Sequence, residues 1–342
     1  MNIKKTTLAT ALIGALSMGF AGQASASVYA GSSLNLSNLT IGFINASTGA
    51  VITNLNPGYT FNVEDSATLN GSTVADADAC SKLLLNCGVS PVLKVSAVNA
   101  PGSTVILIRA DNDYSLFGQN SGTFANANAE ITSAQLVTGT PSSTKQVAEA
   151  ELQISGQGQA STNIQSNTTW TFSFSIGETA NMVLSFLANP EMKADVTLVP
   201  PYTAGNAQAN MSANFTLRRI SQISGDAATP APFVNWTPDG VNTNAVCVNV
   251  GSCVDVDPES LNETMGVGPG NSTVTHSLGT AGSNYSLTIT GLTRGNYSLT
   301  LAGLTSVNVT QVPEPGTLML LGGALAALGF GGTRRRSQAT AA

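Results

Sequence analysis

Apolar and polar residues alternate one for one through long stretches of this chain, and a period of two admits strands while excluding helices. Trp170, Phe172, Phe174 and Ile176 are separated by Thr171, Ser173 and Ser175. Met182, Leu184 and Phe186 resume the pattern after Gly177-Glu178-Thr179-Ala180. Phe215 and Leu217 alternate with Asn214, Thr216 and Arg218. A strand that buries one face needs this spacing. The segments from Trp170 and from Met182 are therefore expected to form a hairpin about the Gly177 to Ala180 turn. Val105 to Ile108 is apolar throughout, which fits a strand buried on both faces.

A short repeat near the end reads the same way. Asn284 to Thr293 is NYSLTITGLT and Asn296 to Thr305 is NYSLTLAGLT, identical at eight of ten positions. Two copies suit a second hairpin, turning at Thr293 to Asn296, and not a solenoid, which needs at least three units. Helical periodicity is absent apart from one turn expected at Ser81 to Asn86. Many short strands separated by Gly, Asn, Ser and Pro make the class all-β, an antiparallel β-sandwich or jelly roll. The segment Gly225 to Pro232 (GDAATPAP) divides the body into residues 27–225, a sandwich-like domain, and 226–309. The latter is either a smaller C-terminal β unit or part of the same sandwich.

Both ends carry targeting signals. Lys4 and Lys5 precede an apolar run from Leu8 to Phe20, and Ala24-Ser25-Ala26 offers small residues for cleavage. Residues 1–26 read as a secretory signal peptide handled by the Sec translocon and cut after Ala26. At the other end, Val312-Pro313-Glu314-Pro315 is followed by 17 uncharged residues, Gly316 to Gly332, and then by Arg334, Arg335 and Arg336. Proline holds the first four residues extended, and Thr310 to Pro315 is expected to be a tether. The uncharged segment spans about 25 Å as a helix, slightly less than the ~30 Å hydrocarbon core. The arginines form a stop on the cytoplasmic side and leave residues 337–342 as a short tail.

Together these features resemble the PEP-CTERM sorting signal of Gram-negative bacteria, the substrate tag of exosortases. The likeness covers Val312 to Arg336 with order and spacing intact. It implies transient anchoring in the inner membrane through residues 316–332. Processing at Pro313-Glu314-Pro315 by an exosortase with a cysteine nucleophile follows, and then passage to the cell surface or matrix. Val63-Glu64-Asp65-Ser66-Ala67, the segment from Trp170, and Asn235-Trp236-Thr237-Pro238-Asp239-Gly240 are loosely similar to a subgroup of such proteins. That likeness implies localisation and no chemistry.

The body holds 18 acidic residues against 8 Lys and Arg, which excludes nucleic acid as a partner. Ser, Thr, Asn and Gly replace most surface charge, a composition suited to an exopolysaccharide-rich setting. Four cysteines in an exported chain suggest disulfides, with three connectivities open. Spacing favours the two short loops, Cys80–Cys87 and Cys247–Cys253. Neither pair has CxxC spacing and His276 is the only histidine, so a cysteine-based metal centre is a poor fit.

Catalysis finds no constellation. His276 would have to serve any Ser-His-Asp triad, no GxSxG elbow is present, and no acidic pair sits in a recognisable motif. No cofactor is expected beyond calcium, for which three acidic clusters qualify: Asp111 with Asp113, Asp255 with Asp257 and Glu259, and Asp76 with Asp78. Each reads equally as ordinary turn residues. Trp170 falls in the core pattern, whereas Trp236 lies between Asn235 and Pro238 in a loop where it can offer a sugar platform. The expectation is an exported, exosortase-processed surface or matrix protein, structural, tied to exopolysaccharide and biofilm. The alternative is a carbohydrate-binding adhesion module, assisted by calcium.

Overall fold

The computed structural model describes residues 26–81, 92–110, 113–132, 141–154, 160–199, 202–279 and 281–313. The signal peptide to residue 25, the transmembrane segment and the arginine stop lie outside these residues, as does the helical turn expected over Ser81 to Asn86 except for Ser81, which ends a strand. The described strands are β1 (Ala26–Asn45), β2 (Gly58–Leu69), β3 (Ser72–Ser81), β4 (Val92–Asn99), β5 (Phe124–Thr132), β6 (Ser142–Ile154), β7 (Ala160–Ile176) and β8 (Ala180–Thr197). They continue with β9 (Tyr202–Ser221), β10 (Phe233–Trp236), β11 (Val246–Val248), β12 (Ser252–Val256), β13 (Glu263–Val267), β14 (Ser272–Ser277), β15 (Ser283–Leu292) and β16 (Gly295–Pro313).

They form two eight-stranded antiparallel sheets. The first runs β12-β15-β8-β1-β6-β5-β4, with β14 also on β8. The second runs β11-β10-β9-β16-β7-β2-β3, with β13 also on β9. Long central strands carry the alternation read in the sequence: in β8, Ala180, Met182, Leu184, Phe186 and Ala188 are buried and their neighbours are half-buried. The inner faces meet through aromatic side chains. Phe43 packs on Phe174 at 4.7 Å, and Phe186 stacks on Phe215 at 5.1 Å and leans on Trp236 at 5.7 Å, each pair joining one sheet to the other.

Neither expected hairpin forms. β7 lies in the second sheet and β8 in the first, so residues 177–179 carry the chain across the gap between sheets. The repeat does the same: β15 pairs with β8 and β12, while β16 pairs with β7 and β9. These are arches, and one lies alongside the other, with Gly295 opposite Ile176 and Leu292 opposite Ala180. Buried Tyr285, Leu287 and Ile289 of one copy and Tyr297, Leu299 and Leu301 of the other belong to opposing sheets. A strand buried on one face gains as much by facing its neighbour across a core as by pairing with it, so alternation does not distinguish the two.

Val105 to Ile108 is not a strand. Ile106 and Ile108 are 72% and 81% exposed. The segment is held by Asn99, whose side chain accepts from the Leu107 amide and donates to its carbonyl, both at 3.2 Å. Gly225 to Pro232 is a loop between paired strands, since β9 and β10 are neighbours. Strands after residue 226 enter both sheets, and β16 lies between β7 and β9 in the interior of the second.

Candidate functional site

The tail leaves the body from β16. Its last residues are still paired: Val312 opposes Ala204 and Pro313 opposes Tyr202. Thr310 and Gln311 are therefore not a tether, and Gln311 is fully buried. Proline is tolerated at a strand end, where its missing donor is not needed. Glu314, Pro315, Arg334, Arg335 and Arg336 lie outside the described residues, as does Ala24. Ala26 opens β1, buried and opposite Ile154, so the expected cut falls at the first residue of the sheet.

The densest polar cluster lies on the outer face of the first sheet, where sequence reasoning saw nothing. Glu149 and Glu151 of β6 point outward yet are fully buried, because Arg109 and residues 113–121 cover them. Glu149 accepts from Tyr29 Oη at 2.5 Å, Arg109 Nη2 at 2.6 Å, and the Phe117 and Gly118 amides at 3.0 and 2.9 Å. Glu151 accepts from Ser27 Oγ and from the amides of Asn120 and Ser121. Burial pushes the Glu149 carboxyl up despite these donors, and it pushes the Tyr29 hydroxyl well up too. Both Glu149 oxygens are engaged, so the cluster pins the loop to the sheet. The signal for it was the pair of acidic residues at alternate positions inside the strand pattern of Val147 to Leu152.

A second polar feature crosses the core. Asp65 of β2, Ser166 of β7 and Thr305 of β16 form one row of neighbours on the inner face of the second sheet. Thr168, one step along, donates to Gln146 Oε1 of β6 at 2.8 Å. A Cβ on Gly303 would come within 3.0 Å of Thr168 Oγ1 and 3.1 Å of Gln146 Nε2, so a larger residue there would press on this polar pair. Asp65 is 2% exposed and neither of its oxygens has a hydrogen-bond partner. Desolvation raises its carboxyl to about 7, with nearby Asp76 adding to the rise. Ser166 and the Ala129 amide approach closely enough to offset part of it, but the Ser166 hydroxyl is committed to the Asn128 carbonyl. Glu64, Asp65, Asp76, Gln165 and Asn167 help line a depression of about 410 Å³ with no aromatic side chain. Ligand pockets are mainly apolar and aromatic, and this one is not.

The remaining candidates scatter. Trp236 is not an exposed platform: it is 0% exposed and packs on Phe215 at 5.0 Å and Phe186 at 5.7 Å. It closes a four-residue strand, β10, whose inner residues are Val234 and Trp236. Asp113 binds its own turn, accepting from the Ser115 amide and hydroxyl, which hold its carboxyl below the usual range. Asp111 lies outside the described residues. Asp76 and Asp78 are exposed on the edge strand β3. Asp255 and Asp257 are fully buried beside each other. Cys247 bonds to Cys253, joining β11 of the second sheet to β12 of the first. Cys80 is also disulfide-bonded, and Cys87 lies outside the described residues. His276 sits in β14 opposite Met192. Among the described residues no three His, Cys, Asp or Glu side chains converge as a ready metal cage. None of their helices is long and apolar enough to cross a membrane.

No curated protein and no solved structure matches the chain. One family description does, the PEP-CTERM protein-sorting motif, over residues 311–336. Those residues continue the central strand of the second sheet into the Pro-Glu-Pro triplet, the uncharged segment and the arginines. By that motif the chain is a PEP-CTERM protein, an exosortase-targeted surface protein.

Proposed function

We propose that the chain enters the Sec translocon and is held briefly in the inner membrane by residues 316–332. An exosortase then processes it at Pro313-Glu314-Pro315, and the body serves as a structural component of the exopolysaccharide-rich surface or biofilm matrix. It performs no catalysis of its own; the reaction is done to it. The observation that carries this reading is the sorting motif at residues 311–336. Two features of the body support a structural role. Its buried charges at Glu149 and Glu151 are consumed in holding a loop. The aromatic side chain best placed in sequence for stacking on sugars, Trp236, belongs to the core. The adhesion-module reading is left without its platform at that residue.

Deleting Pro313 to Pro315, or making Glu314→Ala, is expected to leave an unprocessed form in the inner membrane. Intact-mass analysis of the surface fraction reads the outcome. Wild-type protein at the surface that still carries Arg334 to Arg336 would defeat the proposal.

A further inference from the structure

Strand β12, at the edge of the first sheet, is inside out. Its valines face solvent, with Val254 48% and Val256 44% exposed. Its carboxylates face inward: Asp255, and Asp257 just beyond the strand end, are each 0% exposed. Such a reversal puts the costliest side chains where apolar ones belong.

The loop from Pro238 to Ala245 closes over them. Ala245 N donates to Asp255 Oδ1 at 3.1 Å, and Asp239 N donates to Asp257 Oδ2 at 2.9 Å. The Asp257 amide donates back to Asn242 Oδ1 at 2.8 Å. Asp239 adds a third carboxylate, held by the Val241 amide and by the Asn244 side-chain amide. Gly240 makes the turn at φ +83°, where any Cβ would come within 3.1 Å of the Ser260 amide nitrogen. The Cys247–Cys253 bond ties the far end of the loop to β12.

One oxygen of each buried carboxylate is left over. Asp255 Oδ2 and Asp257 Oδ1 are fully shielded and have no hydrogen-bond partner. Burial raises the Asp257 carboxyl, and Asp255, near enough for the two carboxyls to share a proton, raises it further together with the charge of Asp239. Among the described residues no Lys, Arg or His pairs with any of the three. Two adjacent buried carboxylates without a cation need a counter-ion or a shared proton.

We propose that Asp255 Oδ2 and Asp257 Oδ1 anchor a calcium site completed by oxygens of the Asp239 to Asn244 loop. Only two acidic side chains offer free oxygens, since Asp239 is engaged by Asn244 and contributes field. The remaining ligands are therefore carbonyl, amide and water oxygens, a mixture calcium accepts at irregular geometry and magnesium does not. The donors are all oxygen, which excludes zinc and copper preferences. Extracellular modules bind calcium at roughly 10⁻⁴–10⁻³ M. The site would stiffen the edges where the two sheets meet.

The test uses the full chain, stripped with EDTA, in calorimetric titration with calcium or magnesium and in thermal melts. Expected are one calcium bound per chain and a rise in Tm on the order of 5 °C at a hundredfold excess over Kd, with magnesium weaker. Asp255→Asn and Asp257→Asn should each weaken calcium binding at least tenfold, whereas Asp76→Asn, on the opposite edge, should leave it unchanged. Absence of wild-type binding at ~10 mM calcium, well above that range, overturns the proposal, whether or not the variants fold. So does calcium binding that survives in Asp257→Asn. An Asp257→Asn variant that melts higher than the calcium-free wild type, with no calcium effect on either, identifies a shared proton instead.

Discussion

Asp65 interrupts an inward apolar row, Tyr59, Phe61, Val63, Ala67 and Leu69, and it does so with both oxygens unpartnered. Its carboxyl is raised from 3.8 to about 7, so the pH dependence has a definite sign. Below pH ~4 the folded and unfolded chains both hold the proton. As pH rises further the unfolded chain releases it and the fold keeps it, so stability declines until pH passes about 7. The total cost is roughly 4 kcal/mol. Asp65→Asn should melt higher than wild type at pH 8 and show a flatter decline between pH 5 and 8. Glu149, Glu191 and Asp257 are raised too, so some slope remains. An unchanged slope in melts of the variant would reject this role. The interruption was legible in the sequence as a charge at a core phase of the alternation. Trp236 was not: β10 shows four residues, too few to reveal a phase, and the flanking Asn235 and Pro238 suggested a loop.

Strands were legible and their partners were not. Residues 170–176 and 182–186 do lie in strands, yet they belong to opposite sheets. Pairing depends on whether the three-residue link folds flat or crosses the core, and the alternation is the same for both. Apolar Val105 to Ile108 failed for another reason. Asn99 and Asn126 supply side-chain hydrogen bonds to Leu107 in place of a backbone ladder, and nothing local announces that. The disulfide between Cys247 and Cys253 was read from spacing alone, but its place was not: it staples one sheet edge to the other. Replacing both cysteines by Ser should lower stability by about 2 kcal/mol through the lost loop constraint. Denaturant unfolding of the double variant beside wild type checks it, and equal midpoints would mean the edges hold without the staple.

For the whole molecule the decisive relation is between β16 and the tail. The sheet edges are capped differently, with exposed Asp76 and Asp78 on β3 resisting unwanted pairing at one side. The sorting motif, by contrast, grows from the middle of a sheet. From Asn296 to Gln311 the strand lies between β7 and β9, and Val312 and Pro313 are still paired with β9. An exosortase reading Val312 to Pro315 therefore meets the motif with no slack between it and the body. If access limits processing, freeing the motif should speed it. Inserting about six Gly and Ser residues between Gln311 and Val312 adds up to ~20 Å of reach and leaves Gln311 in its buried place. Pulse-chase conversion to the processed form should then be faster than in wild type, with the melt of the body unchanged. Equal rates with an unchanged melt would show that the enzyme accepts the motif directly at the end of the folded strand. Slower conversion would mean that the paired strand end is itself part of what the enzyme recognises.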